Sequence, residues 1–211
     1  MAAAVEVFAD RSLVHEPGTA FAYSTYGYTL LGRLIEVAAG QDYETYMQTN
    51  IWDVVGMANT GVEKAGEVYA NHSAHYIRRK NGKLKQYDPT NLSNRIPGGG
   101  FYSTAEDLVK FGHAILNHTL LSDTTTAMML TLPSVAKKGS PYAMGWSFYG
   151  PVGQEELVVG HAGEQTGCAA QLMIHREKNI VVVVMTNTGR AWEHVVGITV
   201  QLFPLAYKAM P

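Results

Sequence analysis

The feature that most constrains the fold is an unbroken apolar run near the C-terminus, Ile180-Val-Val-Val-Val-Met185. A short run of this kind is typical of a β-strand that is covered on both faces. A brief charged segment, residues 176–179, joins this run to another apolar stretch at residues 168–175. Because the connection is so short, the two strands are predicted to pair antiparallel.

The rest of the chain divides into a helical part and a sheet part. Residues 140–211 are predicted to hold antiparallel strands, including 142–149 and 156–160, followed by a C-terminal helix at 191–208. The predicted buried stripe of that helix is Val195, Val196, Thr199, Val200 and Phe203. Residues 1–135 are predicted to be mostly helical, with a β-hairpin at 74–87 around a type I′ turn at Asn81-Gly82. A length of 211 residues suits one α+β domain spanning 1–211.

Polar residues that begin helices mark two sites in the helical part. Ser103 and Glu106 form a capping box before a helix whose apolar residues are Leu108, Phe111 and Ile115. Earlier, the Pro17-Gly18 turn leads to the polar cluster Tyr23-Ser24-Thr25. A helical apolar stripe follows that cluster, made of Leu30, Leu31, Leu34, Ile35 and Ala38, and Gly40 stands at the predicted helix end. Tyr23 and Ser24 are thus predicted to lie at the N-terminus of a helix that is held in place by packing, where polar groups are well placed for chemistry.

The segment from Pro17 to Gly32 resembles the Tyr-x-Asn box of the serine β-lactamase and penicillin-binding-protein superfamily. The likeness is to the class C, esterase and mitochondrial serine-β-lactamase-like branch. It implies a β-lactamase/transpeptidase-like fold, and a Tyr23 oxygen that transfers protons beside a nucleophilic serine, with Ser24 and Thr25 in support. Thr25 stands where asparagine is usual. A phenol of pKa ~10 is a poor base unless a cation lowers its pKa, and in the family a Ser-x-x-Lys lysine supplies that cation.

A second segment, His161-Ala-Gly163-Glu164, resembles the His-x-Gly variant of the family's Lys-Thr-Gly box. The resemblance implies that His161 orients Tyr23 or the substrate and that Gly163 lets the substrate approach the backbone. It also implies that the Glu164 amide is one oxyanion-hole donor. Imidazole carries less positive charge than lysine at pH 7, which favours ester, amide or peptide substrates over β-lactams.

The nucleophile itself is not found in a suitable context. Ser134-Val-Ala-Lys137 has the letters of Ser-x-x-Lys, but its Pro- and Gly-containing surroundings are typical of a loop, and it follows the tyrosine box instead of preceding it. The resemblance therefore implies that the Ser-x-x-Lys helix, with an N-terminal helix and two strands, lies upstream of Met1. We expect no family-level hydrolase activity from this N-terminally truncated chain alone. A non-catalytic scaffold (a pseudoenzyme) and one half of a split enzyme are the alternatives.

Composition excludes several other classes of protein. The hairpin at 74–87 is locally basic, but the net charge of −2 and the absence of a further basic patch in the sequence argue against a nucleic-acid partner. No apolar run is long enough for a membrane span, and the eight histidines lack metal-ligand spacing, so neither a metal nor another cofactor is predicted. The lone cysteine, Cys168, indicates no compartment. If the first strand of the family's sheet is missing, strand 180–185 becomes an open edge that could bind a partner chain.

Overall fold

The computed structural model describes residues 1–133, 141–151 and 153–209. The Ser-x-x-Lys segment at Ser134–Lys137 lies outside the described residues. The α-helices are α1 (Ala2–Glu6), α2 (Thr25–Ala39), α3 (Tyr43–Met47), α4 (Asp53–Val55), α5 (Ala105–Leu116), α6 (Asp123–Met129) and α7 (Trp192–Ala209). The first five strands are β1 (Gly61–Val62), β2 (His75–Arg78), β3 (Leu84–Tyr87), β4 (Phe101–Tyr102) and β5 (Tyr142–Ala143). The others are β6 (Trp146–Phe148), β7 (Val158–Gln165), β8 (Cys168–His175), β9 (Ile180–Thr186) and β10 (Thr188–Gly189).

The main sheet has the order β5-β6-β7-β8-β9, and every neighbouring pair is antiparallel. The predicted α+β class and the antiparallel pairing of the last two long strands are confirmed. The prediction of one strand at 142–149 was wrong, because Met144 and Gly145 both have positive φ values, 46° and 91°. Two such residues form the two-residue turn of a hairpin, so the segment divides into β5 and β6.

Helices cover the two faces of this sheet. α5 packs against β8 and β9, and the fully buried side chains on that side include Leu130, Val159 and Ile174. α7 also packs against β8 and β9 and adds Phe203 to a second cluster. The predicted stripe of α7 is confirmed for Val195, Thr199 and Phe203, whereas Val200 is 55% exposed because it lies outside the face that meets the sheet. No helix among the described residues is long and apolar enough to cross a bilayer.

Helix α2 has the predicted ends but not the predicted buried face. Ser24 Oγ accepts a hydrogen bond from the Gly27 N–H at 3.1 Å, and Gly40 closes the helix in the left-handed region with φ 67°. The buried residues are Thr29 and Gly32, while the exposed leucines of the predicted stripe are Leu30, Leu31 and Leu34. The reason is steric: a Cβ on Gly32 would lie 2.4 Å from the Pro97 ring, so the loop at Pro97 packs on the small-residue side of α2.

Two local predictions differ from the structure in detail. Helix α5 is capped by Thr104, whose Oγ1 accepts from the Asp107 N–H at 3.1 Å, and Ser103 instead bonds to Thr60 at 2.7 Å. The hairpin of β2 and β3 is present, but only Gly82 has a positive φ, and the Gly82 N–H donates to the Arg79 carbonyl. This is a longer turn closed by a left-handed glycine and not the predicted type I′ turn.

Candidate active site

Residues 23–25 connect an exposed loop to helix α2. The Ser24 hydroxyl is used in capping the helix, and Thr25 lies directly beneath Gly98, where an added Cβ would come within 2.6 Å of the threonine methyl. Tyr23 is different, since its side chain remains 58% exposed. Its ring meets the ring of Tyr142 edge-on, with 5.3 Å between the centroids. Ser24 and Thr25 therefore position the loop, and Tyr23 presents its hydroxyl beside Tyr142.

The His161 imidazole lies against the same tyrosine. His161 Nε2 is 3.3 Å from Tyr142 Oη, and the two rings meet edge-on with centroids 5.7 Å apart. Burial lowers the pKa of His161, although a hydrogen bond to the Ala162 backbone acts in the opposite direction. The ring is therefore neutral near pH 7. The structure thus brings Tyr23 and His161 together around one side chain.

That side chain, Tyr142, was not identified from the sequence. It is 8% exposed, and its hydroxyl is also 2.6 Å from the hydroxyl of Tyr28 on α2. Burial, followed by the hydrogen bond to Tyr28, raises the pKa of Tyr142 well above its usual range, so the hydroxyl stays protonated. No local pattern could have indicated this role, because Tyr142 and Tyr28 are 114 residues apart in sequence.

Strand β7 carries the other predicted residues and has an open edge at the site. The Tyr149 N–H donates to the Val158 carbonyl at 2.7 Å, so the backbone of Val158 faces β6. Every second residue of a strand faces the same neighbour, which directs the backbone groups of Ala162 and Glu164 to that side as well. The paired register with β6 ends at Gly160. Among the described residues, the Glu164 N–H therefore points to the part of the β7 edge that lies beyond the register with β6.

Within the part of the chain that the structure describes, there is open space at Gly163. A Cβ added to Gly163 would meet nothing within 4 Å, whereas the Glu164 carboxylate accepts a hydrogen bond from the Arg190 N–H. Farther along β7, Gln165 lines a cavity of about 800 Å³ together with Gly99, Tyr102 and Cys168. Four residues of strand, about 13 Å at 3.3 Å each, lead from His161 to that cavity. Among the described residues, no three His, Cys, Asp or Glu side chains are grouped so that they could hold a metal ion.

Comparison with known proteins agrees with the fold. The family model described as "Beta-lactamase" matches residues 2–202. The chain belongs to the beta-lactamase family. The resemblance to the serine β-lactamase and penicillin-binding-protein superfamily is thereby confirmed.

Relatives of this beta-lactamase-family chain are considerably longer. The serine beta-lactamase-like protein LACTB, mitochondrial, of Mus musculus is 31% identical in an alignment of 199 residues that covers 82% of this chain and 36% of that protein. The chain thus spans about a third of the length of the curated relatives it matches.

Solved structures show the same fold. A penicillin-binding protein from Bacillus halodurans superposes with a TM-score of 0.79 at 24% identity, covering 94% of this chain and 62% of that one. The octameric penicillin-binding protein homologue from Pyrococcus abyssi has a TM-score of 0.75 at 26% identity, covering 94% of this chain and 46% of that one. The β-lactamase/transpeptidase-like fold is therefore confirmed for the chain.

Proposed function

We propose that residues 1–211 form two sides of a serine acyl-transfer site that acts on ester, amide or peptide bonds. Tyr23 lies on one side, and residues 161–164 of strand β7 lie on the other. The observation that carries this proposal is the convergence of Tyr23 and His161 on Tyr142, next to the open edge of β7. The family match supports the same class of reaction. The proposed mechanism needs neither a metal nor another cofactor.

Each residue has a definite task in the proposed reaction. Tyr23 accepts the proton of the attacking serine and returns it to the leaving group. The Glu164 N–H stabilises the negative oxygen of the tetrahedral intermediate, and Gly163 leaves room for the substrate beside the strand. His161 orients Tyr23 or the substrate as a neutral ring, which suits an ester or amide better than a carboxylate-bearing β-lactam. The cavity at Gln165 is large enough to accept the acyl part of such a substrate.

The attacking serine comes, in this proposal, from a segment outside residues 1–211. The one Ser-x-x-Lys in the sequence is Ser134–Lys137, whose loop-like composition does not suit a nucleophile at a helix start. Two surfaces support the docking of another segment. One is the exposed apolar face of α2 with Leu30, Leu31 and Leu34, and exposed apolar surface of this kind is typical of a docking site. The other is β9, which ends the main sheet and presents the backbone groups of its outer edge.

The proposal predicts a clear activity test. The chain joined to its in-frame upstream sequence should hydrolyse a p-nitrophenyl ester, whereas the 211-residue chain alone should not. Tyr23→Phe should lower kcat/KM of the longer protein by about 100-fold or more, since general acid–base catalysis contributes that much. Tyr87→Phe on the exposed hairpin strand β3 is the matched control and should leave the rate unchanged. Full activity in Tyr23→Phe would refute the role given to Tyr23.

Two alternatives follow from the same exposed surfaces. A scaffold protein would use the α2 face or the β9 edge to bind a partner and would not catalyse a reaction. A split enzyme would receive its serine from a separate chain at those surfaces. The sequence upstream of Met1 in the genome distinguishes them: an in-frame Ser-x-x-Lys supports an enzyme, and a promoter with a true start site supports a pseudoenzyme or a split enzyme. A purified partner that restores ester hydrolysis would then identify the split enzyme.

A further inference from the structure

The tyrosine between Tyr23 and His161 has the contacts of a residue that organises the site. The Tyr142 ring is enclosed by the rings of Phe21, Tyr23 and His161, with centroids 5.7, 5.3 and 5.7 Å away. Its hydroxyl lies 2.6 Å from Tyr28 Oη and 3.3 Å from His161 Nε2, and the Tyr23 hydroxyl is near enough to contribute to its raised pKa. A buried ring packed on three sides can hold its hydroxyl in one place.

Counting hydrogens limits how these three groups can bond. Each phenol has one hydrogen to donate, and a neutral imidazole has one N–H and one acceptor nitrogen. If Tyr28 donates to Tyr142 and Tyr142 donates to His161 Nε2, both phenol hydrogens have acceptors. In the reverse order, His161 Nε2–H donates to Tyr142 and Tyr142 donates to Tyr28. The hydrogen of the half-buried Tyr28 then has to bond to solvent, whereas the first order gives both phenol hydrogens an acceptor within the protein.

We propose that Tyr142 is a positioning residue: its hydroxyl donates to His161 Nε2 and accepts from Tyr28, which fixes His161 as the neutral tautomer with its hydrogen on Nδ1. The proposal rests on the proposed function only for its catalytic consequence, because the hydrogen-bond order can be measured without substrate. The same ring contacts Tyr23, so Tyr142 sets the orientation of both predicted catalytic side chains.

The surroundings of His161 favour the neutral form. Among the described residues, the phenol of Tyr142 on β5 contacts its ring, and Tyr142 in turn contacts Tyr23 before α2 and Tyr28 on α2. Burial lowers the pKa of His161 and raises the pKa of Tyr142, so one ring has an open acceptor and the other has a hydrogen to donate. Gln171 Nε2 donates to the His161 backbone carbonyl at 3.4 Å and not to the imidazole ring.

Nuclear magnetic resonance of ¹⁵N-histidine-labelled protein tests the proposal directly. The signals of His161 are assigned with the His161→Gln variant. At pH 7 the wild-type ring should carry its hydrogen on Nδ1. In Tyr142→Phe the lost hydrogen bond stabilised the neutral ring, so the pKa of His161 should rise by about half a unit to one unit. Tyr28→Phe should shift it by less, because Tyr142 can still donate to His161.

Tyr43→Phe is the matched control, since Tyr43 is as buried as Tyr142 but packs against Phe101 instead of the site. This variant should leave the pKa of His161 unchanged. A wild-type His161 with its hydrogen on Nε2 would overturn the proposal, as would an unchanged pKa in a folded Tyr142→Phe protein. If Tyr142→Phe does not fold, the wild-type tautomer and the Tyr28→Phe shift still decide the question.

The experiments distinguish failure of the proposed function from failure of the proposed hydrogen-bond order. If the longer protein hydrolyses no ester but His161 has the predicted tautomer, the hydrogen-bond order holds and the catalytic assignment is wrong. If the longer protein is active, the midpoint of its pH–rate profile should move in Tyr142→Phe by the same amount as the pKa of His161. A purely structural role for Tyr142 would lower the rate without moving that midpoint.

Discussion

Replacing Gly160 with alanine should destabilise the protein far more than the same change at Gly163 on the same strand. A Cβ on Gly160 would lie 2.1 Å from the Leu172 carbonyl oxygen and 3.0 Å from the Met173 Cα. Both atoms belong to the backbone of β8, which pairs with β7 at this point. Because backbone in a central strand cannot rotate aside, the two strands must separate locally. Overpacking of this kind costs about 3 kcal/mol at the upper end of its usual range.

Gly163 provides the matched control for this change. An added Cβ there meets no atom within 4 Å, and the φ of Gly163 lies outside the left-handed region. Alanine at such a position restricts the unfolded chain and stabilises the fold by about 0.4–1 kcal/mol. At about 2–4 °C per kcal/mol for a chain of this size, the two variants should melt at least 6 °C apart. Thermal unfolding followed by circular dichroism measures the difference, and equal melting temperatures would refute the steric argument.

Three further predictions concern stability. Thr104→Ala removes the cap of α5 and should cost about 1 kcal/mol in urea unfolding, whereas Ser103→Ala should not expose the Asp107 N–H. Asp107→Ala should cost about 3 kcal/mol or more in the same assay, because the buried carboxylate accepts hydrogen bonds from the Asn59 N–H at 2.7 Å, Thr60 and Lys110. Burial lowers the pKa of His161 in the fold, so the unfolded chain binds its proton first. Stability should therefore be lost as the pH falls from about 6.5 through the lowered pKa, by up to about 1.4 kcal/mol per pH unit, and His161→Gln should reduce that slope.

The elements that the sequence predicts well depend on residues close to one another. Ser24 caps α2 and Gly40 ends it because both signals act within one helical turn. The Met144-Gly145 turn shows the limit of such signals, since methionine is not a residue that usually indicates a positive φ. Ser103 and Thr104 are adjacent residues of similar capping strength, so only the contact of Ser103 with Thr60 decides which one caps α5.

Burial and the site depend on contacts between distant residues. The leucine stripe of α2 indicated an apolar face but not what would cover it, and Pro97 instead packs on the opposite side at Gly32. The two boxes of the site could be recognised because each is a local motif. Tyr142 could not, because its importance comes only from its contacts with Tyr28 and His161.

Labelling with a fluorophosphonate, which reacts with activated serines, tests the central claim most directly. The 211-residue chain and the same chain joined to its upstream sequence are treated side by side, and the labelled residue is located by mass spectrometry. The account predicts that the longer protein is labelled on a serine preceding Met1, that Tyr23→Phe slows the labelling, and that the shorter chain is not labelled. Labelling of the shorter chain at one of its own serines, Ser134 above all, would contradict it.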